Sequence, residues 1–114
     1  MPFSVTKEFT FSAAHCLTKY HGKCEQLHGH NYRLAVTVTG SLNADDLVID
    51  FAELKAVVKM HILDKLDHTN LNDLLPNPSC ELVAQWIYQQ LKPQLTLSQV
   101  QLWETDSSSV TYHE

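Results

Sequence analysis

The sequence lacks several features that mark whole classes of protein. Its 114 residues contain no run of eighteen apolar residues, so no membrane-spanning helix is expected. The first nine residues have neither the basic flank nor the apolar centre of a signal peptide. Lys and Arg number 8 against 13 Asp and Glu, with a net charge of -5 and no basic cluster, which argues against nucleic acid as a partner. We therefore expect a cytoplasmic protein with neither a membrane nor a nucleic acid as its partner.

Cysteine is also scarce and has the wrong spacing for two common kinds of site. Cys16, Cys24 and Cys80 make an odd number with no C-x-x-C pair, which argues against a disulfide framework and against a thiolate zinc site. A glycine-rich phosphate-binding loop is absent as well. We expect all three thiols to be reduced.

The composition that remains is typical of one small folded domain. Hydrophobic residues make up 44% and charged residues 18% of the chain, both within the globular range. The length suits one core, so we expect a single domain over residues 1–114. A domain of this size buries only about two-thirds of its unfolded surface, and oligomerisation would be a natural source of further stability.

Alternating apolar and polar residues predict four strands. The first runs over residues 3–11 and the second over 30–39, with a polar loop at 16–27 between them. Two more strands are expected near the C-terminus, at residues 100–104 and around 110–112.

Two helices are predicted between these pairs of strands. The first has Asp50 as its N-cap and an apolar stripe that reaches Leu66; the second has Asn77 as its N-cap and Pro78 at its first position, and ends at Lys92. The order β-β-α-α-β-β predicts an α+β fold, with a four-stranded antiparallel sheet that carries both helices on one face.

Clustered histidines are the strongest chemical signal. The pair His28 and His30 lies two residues apart on an extended chain, where both side chains point to one face. Alone, such a pair is more often chance than a metal site. His15 ends the first strand beside the start of the second, and three imidazoles would leave a fourth position open, as catalytic zinc requires. A half-buried histidine at a strand end is the alternative interpretation of His15.

Three further groups are candidates for acid-base chemistry or binding. Cys24, four residues before His28, is either an activated thiolate or an ordinary free thiol. Asp67 and His68 form a carboxylate-imidazole pair that would serve as a base, although Asp is also common in turns. Glu104 shares its strand parity with apolar residues, so its carboxylate needs either a ligand with adjacent N–H donors or a protein salt bridge.

Five motifs in this order and spacing resemble the 6-pyruvoyl-tetrahydropterin synthase family. The resemblance extends from residue 3 to about residue 112 and is nearest to the bacterial branch that forms 6-carboxy-5,6,7,8-tetrahydropterin in queuosine biosynthesis. The motifs are F-S-A-A-H at 11–15, C-E-Q-L-H-G-H-N-Y at 24–32, I-D-F-A-E-L-K at 49–55, L-D-H-T-N-L-N-D at 66–73 and W-E-T at 103–105.

The resemblance implies a tunnelling fold (T-fold), whose subunits join their sheets into barrels, commonly as a hexamer of two stacked trimers. Sites of this family lie between subunits. The resemblance also implies one zinc ion per subunit and assigns a role to each candidate residue. The metal ligands would be His15, His28 and His30; the proton-abstracting thiolate Cys24; the proton relay Asp67 and His68; and the pterin-binding residues Glu104 and Thr105.

The activity implied is that of a lyase. It would convert 7,8-dihydroneopterin triphosphate to 6-carboxy-5,6,7,8-tetrahydropterin and release triphosphate and acetaldehyde. Some relatives that form a 6-hydroxymethyl pterin use a Glu three residues before H-G-H, and this chain has Glu25 there beside Cys24. A hydroxymethyl-forming or 6-pyruvoyl-forming enzyme is therefore one alternative, and a zinc-stabilised pterin-binding module without turnover is another.

Overall fold

A computed structural model describes residues 2–114 and contains a mixed five-stranded sheet. The order across the sheet is β3-β1-β2-β4-β5. Strands β1, β2, β4 and β5 are joined by antiparallel pairings, whereas β3 is parallel to β1. The strands are β1 (Phe3–His15), β2 (His28–Gly40), β3 (Thr69–Asn70), β4 (Leu97–Thr105) and β5 (Ser108–Tyr112).

The sheet differs from the prediction in strand number and in strand length. The fifth strand, β3, comprises two residues that pair with Ala13 and Ala14 at the edge of β1, too short a segment for an alternating pattern to reveal. Strands β1 and β2 extend beyond residues 3–11 and 30–39, where the alternation predicted them. The ladder continues until His15 lies opposite His28, which is the position predicted for the third histidine. Small and polar residues break the alternation there, but the backbone ladder continues.

Two α-helical segments lie between β2 and β4, as predicted, and a short 3-10 helix (Leu71–Asp73) lies between them. The first comprises α1 (Phe51–Val58), a π-helical turn (Lys59–Leu63) and α2 (Asp64–Leu66). The Asp50 side chain accepts a hydrogen bond from the Ala52 N–H at 2.8 Å, which confirms its role as N-cap.

The predicted N-cap of the second helix is wrong. Helix α3 spans Cys80–Leu91, and Ser79 is its N-cap, with an Oγ that accepts from the Leu82 N–H at 3.2 Å. Asn77 instead accepts a hydrogen bond from the Thr18 N–H at 2.8 Å, so its amide ties two loops together.

The core lies between one face of the sheet and both helical segments. Residues of a single parity on β1, β2 and β4 face the helices, which agrees with the predicted α+β arrangement. No helix in residues 2–114 is long and apolar enough to span a bilayer. The largest apolar side chains buried to below 2% exposure are Tyr32, Leu34, Leu54, Ile62, Leu66, Leu71, Ile87, Leu91 and Leu102.

The other face of the sheet is polar. Thr6 and Thr37 share a hydrogen bond at 2.8 Å across β1 and β2. The guanidinium group of Arg33 lies 3.3 Å from the Glu8 carboxylate and 3.8 Å from the centroid of the Trp103 ring. Such side chains do not need a helical layer to cover them.

Candidate metal centre

Three histidines meet at the ends of β1 and β2. His15 lies directly opposite His28 in the ladder, and His30 lies opposite Ala13, two positions along. This register places all three imidazoles on the face of the sheet that bears the core, at the end of the sheet. With the Glu104 carboxylate from β4 they form a group whose ligand atoms all lie within 4.8 Å of one another. The three histidines predicted to share an ion are therefore brought together.

Backbone carbonyls fix the tautomers of two of these rings. The Nδ1 of His15 lies 2.8 Å from the Pro78 carbonyl oxygen, and the Nδ1 of His28 lies 2.9 Å from that of Gln26. Because a carbonyl oxygen only accepts hydrogen bonds, each Nδ1 carries the proton. The Nε2 lone pairs are then free to bind a metal, an arrangement common among histidines that ligate metals.

A carboxylate oxygen faces two of the Nε2 atoms. Glu104 Oε1 lies 2.9 Å from His30 Nε2 and 3.2 Å from His15 Nε2. Both nitrogens are buried, and within residues 2–114 neither has a hydrogen-bond partner of adequate geometry. The Nε2 lone pair of His15 and the carboxylate oxygen repel each other at this distance, so a cation between them would satisfy both.

Burial favours the neutral form of His30, and metal binding needs a neutral imidazole. Burial lowers the pKa of His30, and the neighbouring rings of His15 and His28 lower it further, whereas Glu104 opposes the shift. Imidazole nitrogens with an oxygen donor suit several divalent transition metals. The residues therefore fit a divalent metal ion.

Two asparagines connect the segment before α3 to the residues that follow His15. The Oδ1 of Asn72 accepts from the Cys16 N–H and its Nδ2 donates to the Cys16 carbonyl, both at 2.9 Å. Asn77 holds Thr18 two residues further on. The segment that supplies the Pro78 carbonyl is thus fastened to the chain that follows His15. Motif reasoning missed this support, and the three Asn that follow His68 were its only visible signal.

Tyr32 lies beneath the histidines and was also missed as a neighbour of the site. Its ring centroid lies 5.6 Å from that of His30 and 6.2 Å from that of His15. The side chain is fully buried, and its hydroxyl has no hydrogen-bond partner in the described chain. Burial, and secondarily the Glu104 carboxylate, raise the pKa of Tyr32, so the phenol stays neutral.

The two candidate bases of the 16–27 loop differ in how they are held. Cys24 is exposed and lies outside the four-residue group; its Sγ is 4.0 Å from the Thr18 carbonyl oxygen. Glu25 accepts a hydrogen bond from the Leu17 N–H at 3.0 Å, and its Oε1 is 4.0 Å from His28 Nδ1. Glu25 therefore both stabilises the loop and lies next to the metal group, the four residues His15, His28, His30 and Glu104.

Asp67 and His68 form a separate corner at the edge of β1. Ser12 donates its N–H to Asp67 Oδ1 at 2.9 Å and accepts from the His68 N–H at 2.6 Å. The Ser12 N–H lowers the pKa of Asp67, and His68 lowers it further. His68 Nδ1 is 3.1 Å from Asp67 Oδ2, yet the ring is 82% exposed on a backbone with φ of +60°.

This corner borders a cavity that His30, one of the three histidines, also lines. The cavity measures about 510 Å³ and has His68, Asn70, Ser12 and Asn31 in its walls. Thr105, the other predicted substrate-binding residue, is exposed at the end of β4. The structure thus places Glu104 against the histidines and leaves Cys24, the Asp67–His68 pair and Thr105 outside the group.

Comparison with known proteins yields matches over nearly the whole chain. Residues 4–114 match the family model described as 6-pyruvoyl tetrahydropterin synthase. A protein of Haemophilus influenzae named 6-carboxy-5,6,7,8-tetrahydropterin synthase is 36% identical over 98% of this chain and 99% of its own. A protein of the same name from Synechocystis is 39% identical over 95% and 91%. The solved 6-pyruvoyl tetrahydropterin synthase of Caenorhabditis elegans has a TM-score of 0.85 at 26% identity, with 98% and 95% coverage.

Proposed function

Because this chain belongs to the 6-pyruvoyl tetrahydropterin synthase family, we propose that it is a zinc-dependent lyase acting on 7,8-dihydroneopterin triphosphate. Family membership, predicted from the motifs, is confirmed, and the chain is an enzyme of this family. With the consumption of one water molecule, the proposed products are 6-carboxy-5,6,7,8-tetrahydropterin, acetaldehyde and triphosphate, in the queuosine pathway. The observation that carries the proposal is the group of three imidazoles, two of them with Nε2 atoms freed by carbonyl contacts.

The histidines would hold the metal by their Nε2 atoms. When bound, zinc would act as a Lewis acid on oxygens of the pterin side chain and ease proton loss from the adjacent carbons. His15 is 1% exposed, so its ring is held by the surrounding protein and needs little reorganisation. Three histidine nitrogens leave one tetrahedral position open, as in catalytic zinc sites, when Glu104 binds the pterin and not the metal.

Glu104 would anchor the pterin ring. Its carboxylate is 28% exposed and has neither Lys nor Arg within 4.0 Å in the described chain. Adjacent N–H donors of a pyrimidine ring match the two oxygens of a carboxylate in a bidentate contact. Thr105, exposed one residue further along, would extend this binding surface.

Cys24 and the Asp67–His68 pair would move protons. The thiol would abstract a proton as thiolate, and the imidazole, oriented by Asp67, would return one. His68 is anchored by its backbone but has an exposed ring, which supports a proposal that it serves the site of a neighbouring subunit. From the family resemblance we also propose a homohexamer of two trimers, each subunit a single domain, in the cytoplasm.

Product analysis tests the proposal. Purified protein is incubated with 7,8-dihydroneopterin triphosphate, and a parallel sample is first stripped of metal with a chelator. We expect acetaldehyde and the 6-carboxy pterin by mass spectrometry, both lost on stripping and restored by zinc. Untouched substrate in the zinc-loaded sample would contradict the proposal and favour a binding module.

A hydroxymethyl-forming activity is the second candidate, and the position of Glu25 favours it. Its carboxylate lies 4.0 Å from His28 Nδ1, which places Glu25 beside one of the three histidines. We expect Cys24→Ala to keep its metal and lose formation of the 6-carboxy product. A 6-hydroxymethyl product that survives in Cys24→Ala and disappears in Glu25→Gln would assign that second activity to Glu25.

A further inference from the structure

We propose that Glu104 closes the metal centre in the ligand-free protein and that a pterin ring draws it away. One carboxylate would thus be a metal ligand at rest and a substrate ligand during turnover. The claim that a pterin displaces Glu104, the pterin half of the inference, rests on the proposed function. The claim that Glu104 binds the metal in the ligand-free protein, the resting half, does not.

The position of the carboxylate supports the resting half. Glu104 Oε1 lies 2.9 and 3.2 Å from two Nε2 atoms whose rings belong to different strands. In residues 2–114 these histidines are the only basic side chains within ion-pair distance of Glu104. A carboxylate with no Lys or Arg and two facing imidazoles is therefore best satisfied by a cation shared with those rings.

The donor set also supports it. His15, His28, His30 and Glu104 together offer three nitrogens and one oxygen, all within 4.8 Å of one another. Four ligands of these types complete the tetrahedral coordination that zinc prefers. With Glu104 bound, the centre would be closed; without it, one position would be open to another oxygen.

The backbone at Glu104 allows the side chain to move between two partners. The β4–β5 ladder pairs Trp103 with Ser109 and Thr105 with Ser108, and its register shifts between them at Glu104. A residue at such a bulge is not held by a regular cross-strand pair, and bulges commonly redirect side chains beside active sites. The 28% exposure of Glu104 leaves the carboxylate in reach of an incoming ligand.

A pterin would compete with the metal for this carboxylate. Two adjacent N–H donors need both carboxylate oxygens for a bidentate contact, including the Oε1 that faces the histidines. Seating the ring would therefore open a position on the metal at the moment the substrate arrives. The metal would be shielded from other ligands in the absence of substrate.

Cobalt(II) provides a spectroscopic test that does not depend on turnover. The zinc-free full-length protein is loaded with Co²⁺, and its visible absorption is recorded before and after addition of 6-methylpterin, which lacks the reactive side chain. We expect 6-methylpterin to shift the spectrum of the wild type. In Glu104→Gln the ligand-free spectrum should already differ from that of the wild type, and Co²⁺ should bind about 10- to 100-fold more weakly.

Glu81→Gln is the matched control, because Glu81 is exposed in the first turn of α3 and the substitution removes the same charge. Its ligand-free spectrum and Co²⁺ affinity should equal those of the wild type. Identical ligand-free spectra and affinities for Glu104→Gln and the wild type would overturn the inference. If Glu104→Gln does not fold, the test uses the zinc-loaded wild type alone. X-ray absorption at the zinc edge must then show a carboxylate ligand in the ligand-free protein, and 6-methylpterin must remove it.

The outcome is separable from that of the proposed function. A wild type that releases no acetaldehyde but shows the expected spectra would refute the lyase and keep the carboxylate exchange. The opposite outcome is a wild type that releases acetaldehyde, whose Co²⁺ spectrum is unchanged by 6-methylpterin and equals that of Glu104→Gln. That outcome would keep the lyase and refute the carboxylate exchange.

Discussion

The histidine group and the Asp67–His68 corner contain the same kinds of side chain under opposite conditions. His15 is 1% exposed, with its Nδ1 held by a carbonyl, whereas the His68 ring is 82% exposed and paired with a partly exposed carboxylate. Both groups are attached to β1, one at its end and the other along its edge.

The difference shows which part of the chemistry one subunit can build alone. The metal group is organised by ladder register, carbonyl contacts and burial, all within this chain. The Asp67–His68 pair has a fixed backbone but an unburied ring, so its surroundings must come from outside the chain if it is to work in a water-poor site. Four predictions test this contrast, from the largest expected effect to the smallest.

Removal of one metal ligand should have the largest effect. In His28→Ala we expect loss of bound metal and a fall in activity of about 10³-fold or more, since Lewis-acid stabilisation contributes several kcal/mol. Metal content per subunit, by atomic emission, and the rate of acetaldehyde release measure both effects. His21→Ala, at an exposed residue outside the group, should keep its metal; full metal content in His28→Ala would contradict the assigned ligand set.

Mixing two inactive variants should reveal whether the exposed corner serves a second subunit. Cys24→Ala and His68→Ala should each lose about 10²- to 10⁴-fold in activity, because each lacks an acid-base group. After the two are denatured and refolded together, activity should return, since some sites then combine an intact Cys24 with an intact Asp67–His68 pair.

The control for this experiment is a mixture of Asp67→Asn and His68→Ala. Both lesions lie in the same pair, so no mixed site is intact and no recovery is expected. Equal activity in the two mixtures would show that Cys24 and His68 act within one subunit.

Loss of the support behind His15 should have an intermediate effect. In Asn72→Ala the N–H and carbonyl of Cys16 lose their partners, which should lower the free energy of unfolding by about 1–3 kcal/mol and weaken metal binding. Asn43→Ala removes two comparable contacts, to the N–H groups of Asp45 and Leu47, in a loop distant from the site. Urea unfolding and a metal titration should show lower stability for both variants but weaker metal binding only for Asn72→Ala.

The thiols of Cys80 and Cys24 should differ in reactivity in the folded protein. Burial raises the pKa of Cys80 to about 12, and the Glu104 carboxylate contributes to the shift. A raised pKa favours the neutral thiol, so Cys80 should resist iodoacetamide at pH 8, whereas the exposed Cys24 should react. Peptide mass spectrometry of the folded protein gives both rates; equal rates would contradict the burial of Cys80, and unfolding in urea should make the two alike.

Part of this protein could be predicted from local patterns. The order of the long strands and of the two helical segments, the Asp50 N-cap and the histidine group follow from residue periodicity and short spacings. The N-cap of α3 was misplaced because Asn and Ser are both good N-cap residues. The Asn77 side chain binds Thr18, 59 residues away, so Ser79 caps the helix instead. The two-residue β3 offers no period at all.

The sequence by itself determined the fold class, the family and the three imidazoles at one end of the sheet, because strand parity and motif spacing are local and regular. Only the tertiary structure decided that Pro78 and Gln26 carbonyls fix the ring tautomers. It also decided that Glu104 faces those rings while His68 stays exposed. The Gln26–His28 contact is local, but the contacts of His15 with Pro78 and of His30 with Glu104 join residues far apart in the chain. No pattern of neighbours in sequence encodes those long-range contacts.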